Sequence, residues 1–193
     1  MMYNNLRYIF YYLWLFFFNG ILLPRYSINK GDRMRLFIKR DKSPDSTDFV
    51  IFGESGEERY KTLRKNTASK KSVNLRIVDA SGKTAAKIRK FPFAPASIFF
   101  IRLEKSRLTF VAVPSKNGLY SYFYGSNRLI SGNVAAKNFS VIDVDKSVVF
   151  SHRRRMGYAE LEITCEKNEA FSVAVSVCAN LINTVEKHEL KPA

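Results

Sequence analysis

The chain has 193 residues and a formal net charge of +15 at pH 7, with a sequence pI near 9.9. That length suits one domain able to bury roughly two-thirds of its unfolded surface, and the charge favours an anionic partner, either nucleic acid or an acidic membrane surface. Cys165 and Cys178 are too few for a disulfide framework, and His152 and His188 stand in no zinc-ligating spacing, so disulfide and zinc scaffolds are excluded; both thiols are expected reduced and buried.

The first element is an apolar run from Leu6 to Leu23, close to the length of a membrane span, with Arg7 before it and Arg25 and Lys30 after it. No small-x-small cleavage site follows, so it is a poor signal peptide. Two readings stay open: an N-terminal membrane anchor, or a stretch of translated AT-rich DNA ahead of a start at Met34. The second is the expectation, because Lys30-Gly31-Asp32-Arg33 can be encoded by a purine-rich ribosome-binding site directly before Met34. Genomic codons lacking that purine run exclude it. Residues 1–33 hold Arg7, Arg25, Lys30 and Arg33 against Asp32, a sum of +3, so residues 34–193 keep +12 (15 − 3) and form the expected folded domain.

From Met34 onward the chain reads as short strands punctuated by turns. Met34–Lys39 alternates. Asp48–Phe52 meets Gly53-Glu-Ser-Gly56 and Arg59–Leu63; Ser72–Val78 meets Asp79-Ala-Ser-Gly82 and Lys83–Arg89. These are two hairpins of one pattern, with glycines supplying the positive φ that tight turns require. Phe91-Pro-Phe-Ala-Pro95 breaks the ladder and is expected to cross between parts of the sheet. Strands then follow at Ile98–Leu103, Leu108–Val113, Tyr120–Tyr124, Phe139–Ile142 and Val148–Phe150, without helical periodicity, which indicates a sandwich or barrel.

The last fifty residues constrain the fold most. In Ala159–Glu166 the residues Ala159, Leu161, Ile163 and Cys165 alternate with Glu160, Glu162, Thr164 and Glu166, the period of a half-buried strand. Phe171–Val185 then carries no Lys, Arg, Asp or Glu. An element apolar on every side must be enclosed. Its length favours a buried helix, although Val173, Val175 and Val177 have strand character.

Three site-like motifs dissolve on inspection. Ser81-Gly82-Lys83-Thr84 resembles the end of a phosphate-binding loop, but the required glycine is replaced by Ile77. Asp143-Val-Asp145-Lys-Ser147 lacks the glycine and glutamate of a calcium loop, with Val148 and Arg154 in their places. His152 lies among arginines with no orienting carboxylate nearby in sequence, so no catalytic residue, metal or cofactor is expected. The remaining candidates are cations on strand faces: Lys87 and Arg89 opposite Ile88, and Arg153 and Arg155 opposite Arg154. If their strands are neighbours, they form one anion-binding patch. Tyr120, Tyr122 and Tyr124 alternate on one face and can stack bases, but basic residues are not interleaved with them in sequence, which disfavours a nucleic-acid binder and makes them barrel wall.

The paired strand–turn–strand units, the Phe139–Phe150 strand pair, the basic Ser151-His-Arg-Arg-Arg155 segment and Tyr158 running into the apolar tail resemble the tubby C-terminal-like superfamily over residues 34–187. The nearest branch is the LURP-one-related and small bacterial members, with the phospholipid scramblases more distant. The resemblance implies a mainly β (α+β) fold: a closed antiparallel barrel of about twelve strands around a buried C-terminal helix. It departs at Asn180 and Asn183, where an acidic residue often stands in the family. Some tubby-like domains bind phosphoinositides, so the resemblance implies a non-catalytic module binding anionic phospholipid at the cytoplasmic membrane surface through Lys87, Arg89, Arg153 and Arg155. The alternatives are an intracellular structural or protein-interaction domain and, less favoured, a nucleic-acid binder. Attachment by a single pass applies if residues 6–23 form a genuine anchor.

Overall fold

The computed structural model describes residues 33–41, 48–65, 73–91, 96–116 and 118–182. The apolar run at 6–23 and Asn183 lie outside these residues. Among the described residues, no helix is long and apolar enough to cross a membrane.

Twelve strands form one antiparallel sheet: β1 Met34–Arg40, β2 Phe49–Phe52, β3 Glu58–Arg64, β4 Val73–Asp79, β5 Thr84–Phe91, β6 Ser97–Leu103, β7 Arg107–Ser115, β8 Gly118–Tyr124, β9 Leu129–Asn133, β10 Asn138–Ile142, β11 Val148–Arg154 and β12 Tyr158–Ile163. Their order is β8-β7-β6-β5-β4-β3-β2-β1-β12-β11-β10-β9. Consecutive strands pair within two meanders, β1–β8 and β9–β12, and one long-range ladder joins them, with Leu36 opposite Leu161 and Ile38 opposite Ala159. The barrel is thus closed except for one seam between β8 and β9, which are joined in sequence but do not pair as a ladder.

A 3₁₀ turn (Glu166–Asn168) leads into the helix α1 (Glu169–Leu181), the element the barrel encloses. Residues 171–179 of α1 are all buried, and they pack in one core with Leu36, Ile51, Ile88, Ile101, Phe110 and Phe150 from around the wall. The helix starts before the expected Phe171 and stops at Leu181, with Ile182 already extended. Polar ties hold both ends. At the N-terminus Arg59 Nη2 donates to both carboxylate oxygens of buried Glu169 at 2.9 and 3.1 Å, and Arg128 donates to Asn168 Oδ1 at 2.9 Å while stacking 4.2 Å over the Phe171 ring. At the C-terminus Lys137 Nζ donates to the Asn180 carbonyl at 3.1 Å. An anion at the first turn and a cation at the last both complement the helix dipole.

Two sequence expectations are corrected. The strands on either side of Phe91–Pro95 are sheet neighbours that pair directly, with Phe91 opposite Ile98, rather than distant parts of the sheet; residues 92–95 lie outside the described residues. Cys165 is only half-buried, because β12 ends at Ile163 and Cys165 already belongs to the turn into α1; Cys178 is fully enclosed, and burial pushes its thiol up. β9 escaped notice because it is an edge strand whose residues are mostly exposed, so it carries no alternation.

Three hairpins share one turn. In each, the first N–H donates to the carbonyl four residues on and the fourth N–H donates back to the first carbonyl: Gly53/Gly56/Glu57, Asp79/Gly82/Lys83 and Asp143/Lys146/Ser147. The fourth position is left-handed, with φ of 82° at Gly56, 82° at Gly82 and 66° at Lys146. The phosphate-loop and calcium-loop look-alikes are therefore hairpin turns. Asp79 Oδ1 accepts from the Ser81 and Lys83 N–H groups, and Asp145 Oδ1 from Ser147 N–H. Of these three fourth positions, Lys146 alone bears a side chain, which costs about 1 kcal/mol in this conformation. Lys146→Gly is expected to raise unfolding free energy by about that amount, read as a higher urea midpoint at unchanged slope; an unaltered or lower midpoint contradicts the strain.

A cationic groove on the outer wall

The inward residues of β4 to β7 fix which residues face out. Leu75 and Ile77, Ala86 and Ile88, Phe99 and Ile101, and Leu108 and Phe110 are buried against the core. Alternation then places their neighbours on the outer face. Register brings Arg76 opposite Lys87, Lys87 opposite Arg102, and Arg102 opposite Arg107. Four exposed cations thus stand side by side across four strands. The row beside them runs Asn74, Arg89, Phe100, Thr109 and Tyr124. These two rows line a groove of about 980 Å³.

Directly opposed like charges lie about 5 Å apart at Cβ and destabilise a sheet. Among the described residues, Arg76, Lys87, Arg89, Arg102 and Arg107 form no salt bridge; Arg64, at the groove's rim, is held by Asp48 at 2.9 Å. The opposite wall is different. There Arg35 faces Glu162 and Arg153 faces Glu160, Arg33 reaches Glu162 at 2.9 Å and Arg155 reaches Glu160 at 2.9 Å. Its glutamates are neutralised by basic neighbours, whereas Arg76, Lys87, Arg102 and Arg107 face one another in a row with no carboxylate among them.

Lys87 and Arg89 therefore sit together in the groove, but Arg153 and Arg155 do not join them. Strands β4, β3, β2, β1 and β12 separate β5 from β11, which puts the two pairs on opposite walls. Arg155 also lies past the end of β11. The expectation of one patch failed because sequence does not give strand order around a barrel. Arg76, Arg102 and Arg107 were missed, yet a signal was available: Glu104 is the only acidic residue between Asp79 and Asp143. The aromatic argument is corrected too. Tyr124 and Phe100 line the groove with the cations, so aromatic and basic side chains are interleaved across strands although not along the chain.

His152 has a structural task. It points inward, stacked 4.9 Å from the Phe139 ring; Nδ1 donates to the Lys137 carbonyl at 2.8 Å, and Nε2 accepts from Asn180 Nδ2 at 3.2 Å. These partners fix a neutral ring beside the end of α1, and among the described residues no carboxylate engages it. Burial, rather than the neighbouring arginines, brings its pKa down to about 4. Among the described residues, no three His, Cys, Asp or Glu are grouped to hold a metal.

The sequence profile described as LURP-one-related matches residues 34–181. No curated protein matches the chain. A protein of Arabidopsis thaliana with a solved X-ray structure is similar in fold, at 13% identity and a TM-score of 0.49, over 77% of this chain and 91% of that one.

His152 makes stability depend on pH. Its folded pKa lies below the ordinary 6.5, so between those values the unfolded chain binds the extra proton. The stabilisation is complete above about pH 6.5 and disappears toward pH 4. By pH 5 the loss is about 2 kcal/mol. Urea denaturation at pH 7 and pH 5 is expected to show this decline in the native sequence and a flatter dependence in His152→Gln; equal slopes in both remove His152 as the cause.

Proposed function

The chain belongs to the LURP-one-related family, and from that premise we propose that its barrel is a non-catalytic module that binds anionic phospholipid at a membrane surface through the β4–β7 groove. The observation that carries this reading is the cation row Arg76–Lys87–Arg102–Arg107, three successive like-charge cross-strand pairs with no carboxylate among them. An anion placed across the row turns each repulsive pair into a shared clamp. Arginine supplies bidentate donors for phosphate oxygens and lysine a point charge. Each Lys or Arg close to an anionic leaflet contributes about 1 kcal/mol, and the sum weakens with salt.

The paired cations of the opposite wall make a natural control. Co-flotation of the full chain with phosphatidylserine-containing vesicles is expected to exceed flotation with neutral vesicles at low salt, and to fall as salt rises. Lys87→Glu with Arg102→Glu abolishes the anionic preference; Arg153→Glu leaves it. A double variant that floats like the native chain defeats the reading. Loss of vesicle binding to a competing single-stranded oligonucleotide, with vesicles unable to displace it, transfers the groove to nucleic acid, whose bases Phe100 and Tyr124 can stack.

A further inference from the structure

Resting on the headgroup reading above, we infer that the same wall also inserts aromatic side chains into the interfacial layer of an anionic bilayer, so that the barrel docks with its β8 edge deepest. The outer face of β5–β8 changes character row by row. Beside the cation row and the mixed Arg89–Phe100–Thr109–Tyr124 row lies an uncharged one, Phe91–Ile98–Val111–Tyr122, and beyond it Val113 faces Tyr120. Phe100 is 47% exposed, Tyr120 67% and Tyr124 75%. Among the described residues, nearly all the exposed large aromatic side chains gather on this one wall, with Tyr158 apart from them.

Grouped exposed apolar residues on a soluble surface mark an interaction site. Here the rings are also held in place before any contact. Tyr120 and Tyr122 pack 5.8 Å apart and Phe91 meets Phe100 edge-on at 6.4 Å, which limits the ordering entropy of docking. Tyrosine, with an apolar ring and a polar tip, favours the headgroup boundary.

The division of the face selects the occupant. Cations lie on one side of the rings and uncharged residues on the other, which matches phosphates above and acyl chain roots beside them. A nucleic-acid strand would stack on Phe100 and Tyr124 but find no cation for its phosphates in the Phe91–Ile98–Val111–Tyr122 row. A second copy of the chain on this face would bring one set of like charges toward another.

Trp14 is the chain's only tryptophan, so Trp14→Phe with Tyr122→Trp places a single indole on the wall. The full chain carrying both changes is mixed with vesicles of phosphatidylserine and phosphatidylcholine, with and without bromine on the acyl chains. The expected result is a blue-shifted emission that the brominated lipid quenches at least twofold, with Tyr120→Trp behaving alike in a parallel variant. Phe100→Ser with Tyr122→Ser is expected to lose at least tenfold in affinity at high salt, where charge is screened. Vesicle-bound protein whose indoles stay unshifted and unquenched overturns the insertion and leaves the headgroup reading standing, provided Lys87→Glu with Arg102→Glu still abolishes binding. Absence of binding to anionic vesicles overturns both, and an emission shift with a single-stranded oligonucleotide alone assigns the wall to nucleic acid.

Discussion

The whole structure depends on burying one helix whose residues 171–179 carry no charged side chain. Residues 171–179 of α1 are enclosed on every side, which neither a single packed sheet nor a neighbouring helix can provide. A nearly closed barrel does. Enclosure creates a second demand, because a helix end leaves backbone groups without partners inside the helix. At the C-terminal end Lys137 donates to the Asn180 carbonyl and Asn180 Nδ2 to the Ser176 carbonyl, whereas the ties at the N-terminal end join side chains, Arg59 to Glu169 and Arg128 to Asn168. The neutral His152 suits a neutral Asn180. An acidic residue in place of Asn180 would favour protonation of that ring.

The enclosed helix also decides what the outside displays. Each wall strand must turn one alternating set of side chains toward α1, and that choice leaves no freedom about the other set. With Ile88 and Ala86 inward, Lys87 must face out; with Ile101 and Phe99 inward, so must Arg102 and Phe100. The hairpin registers then set these residues laterally beside one another. A slip of one residue would bury cations, so core packing maintains the cation row even though the row itself is repulsive.

Much of the fold was legible in the sequence for the same reason. Alternation in Ala159–Ile163 and the uncharged run from Phe171 to Ile182 report burial directly, and burial is what the barrel and helix are made of. Edge strand β9 was illegible because an exposed strand has no apolar face to betray it. The Phe91–Pro95 segment misled because proline marks a break without saying where the chain goes next. The candidate site was half legible. Lys87 and Arg89 follow from their own strand's alternation, but their neighbours Arg76, Arg102 and Arg107 are set by pairing across strands, which a single chain read end to end does not display. Arg153 and Arg155 carried the same local signal as Lys87 and Arg89. Only the glutamates facing them distinguish a balanced wall from an unbalanced one.

That contrast between walls bears on what the net charge means. If the surplus served solubility alone, lysines and arginines scattered over the surface would suffice, and aligning four in adjacent strands would be a needless cost. The chain instead places Glu160 and Glu162 on β12, where they neutralise nearby arginines, and no glutamate on β5, β6 or β7. The imbalance is therefore local, and it coincides with the wall that carries most of the exposed large aromatic side chains among the described residues. A repulsive cation row and an exposed aromatic patch each destabilise the isolated protein. Their coincidence on one face is accounted for by a single partner that is anionic at its surface and apolar just beneath it, because contact with that partner relieves both costs at once.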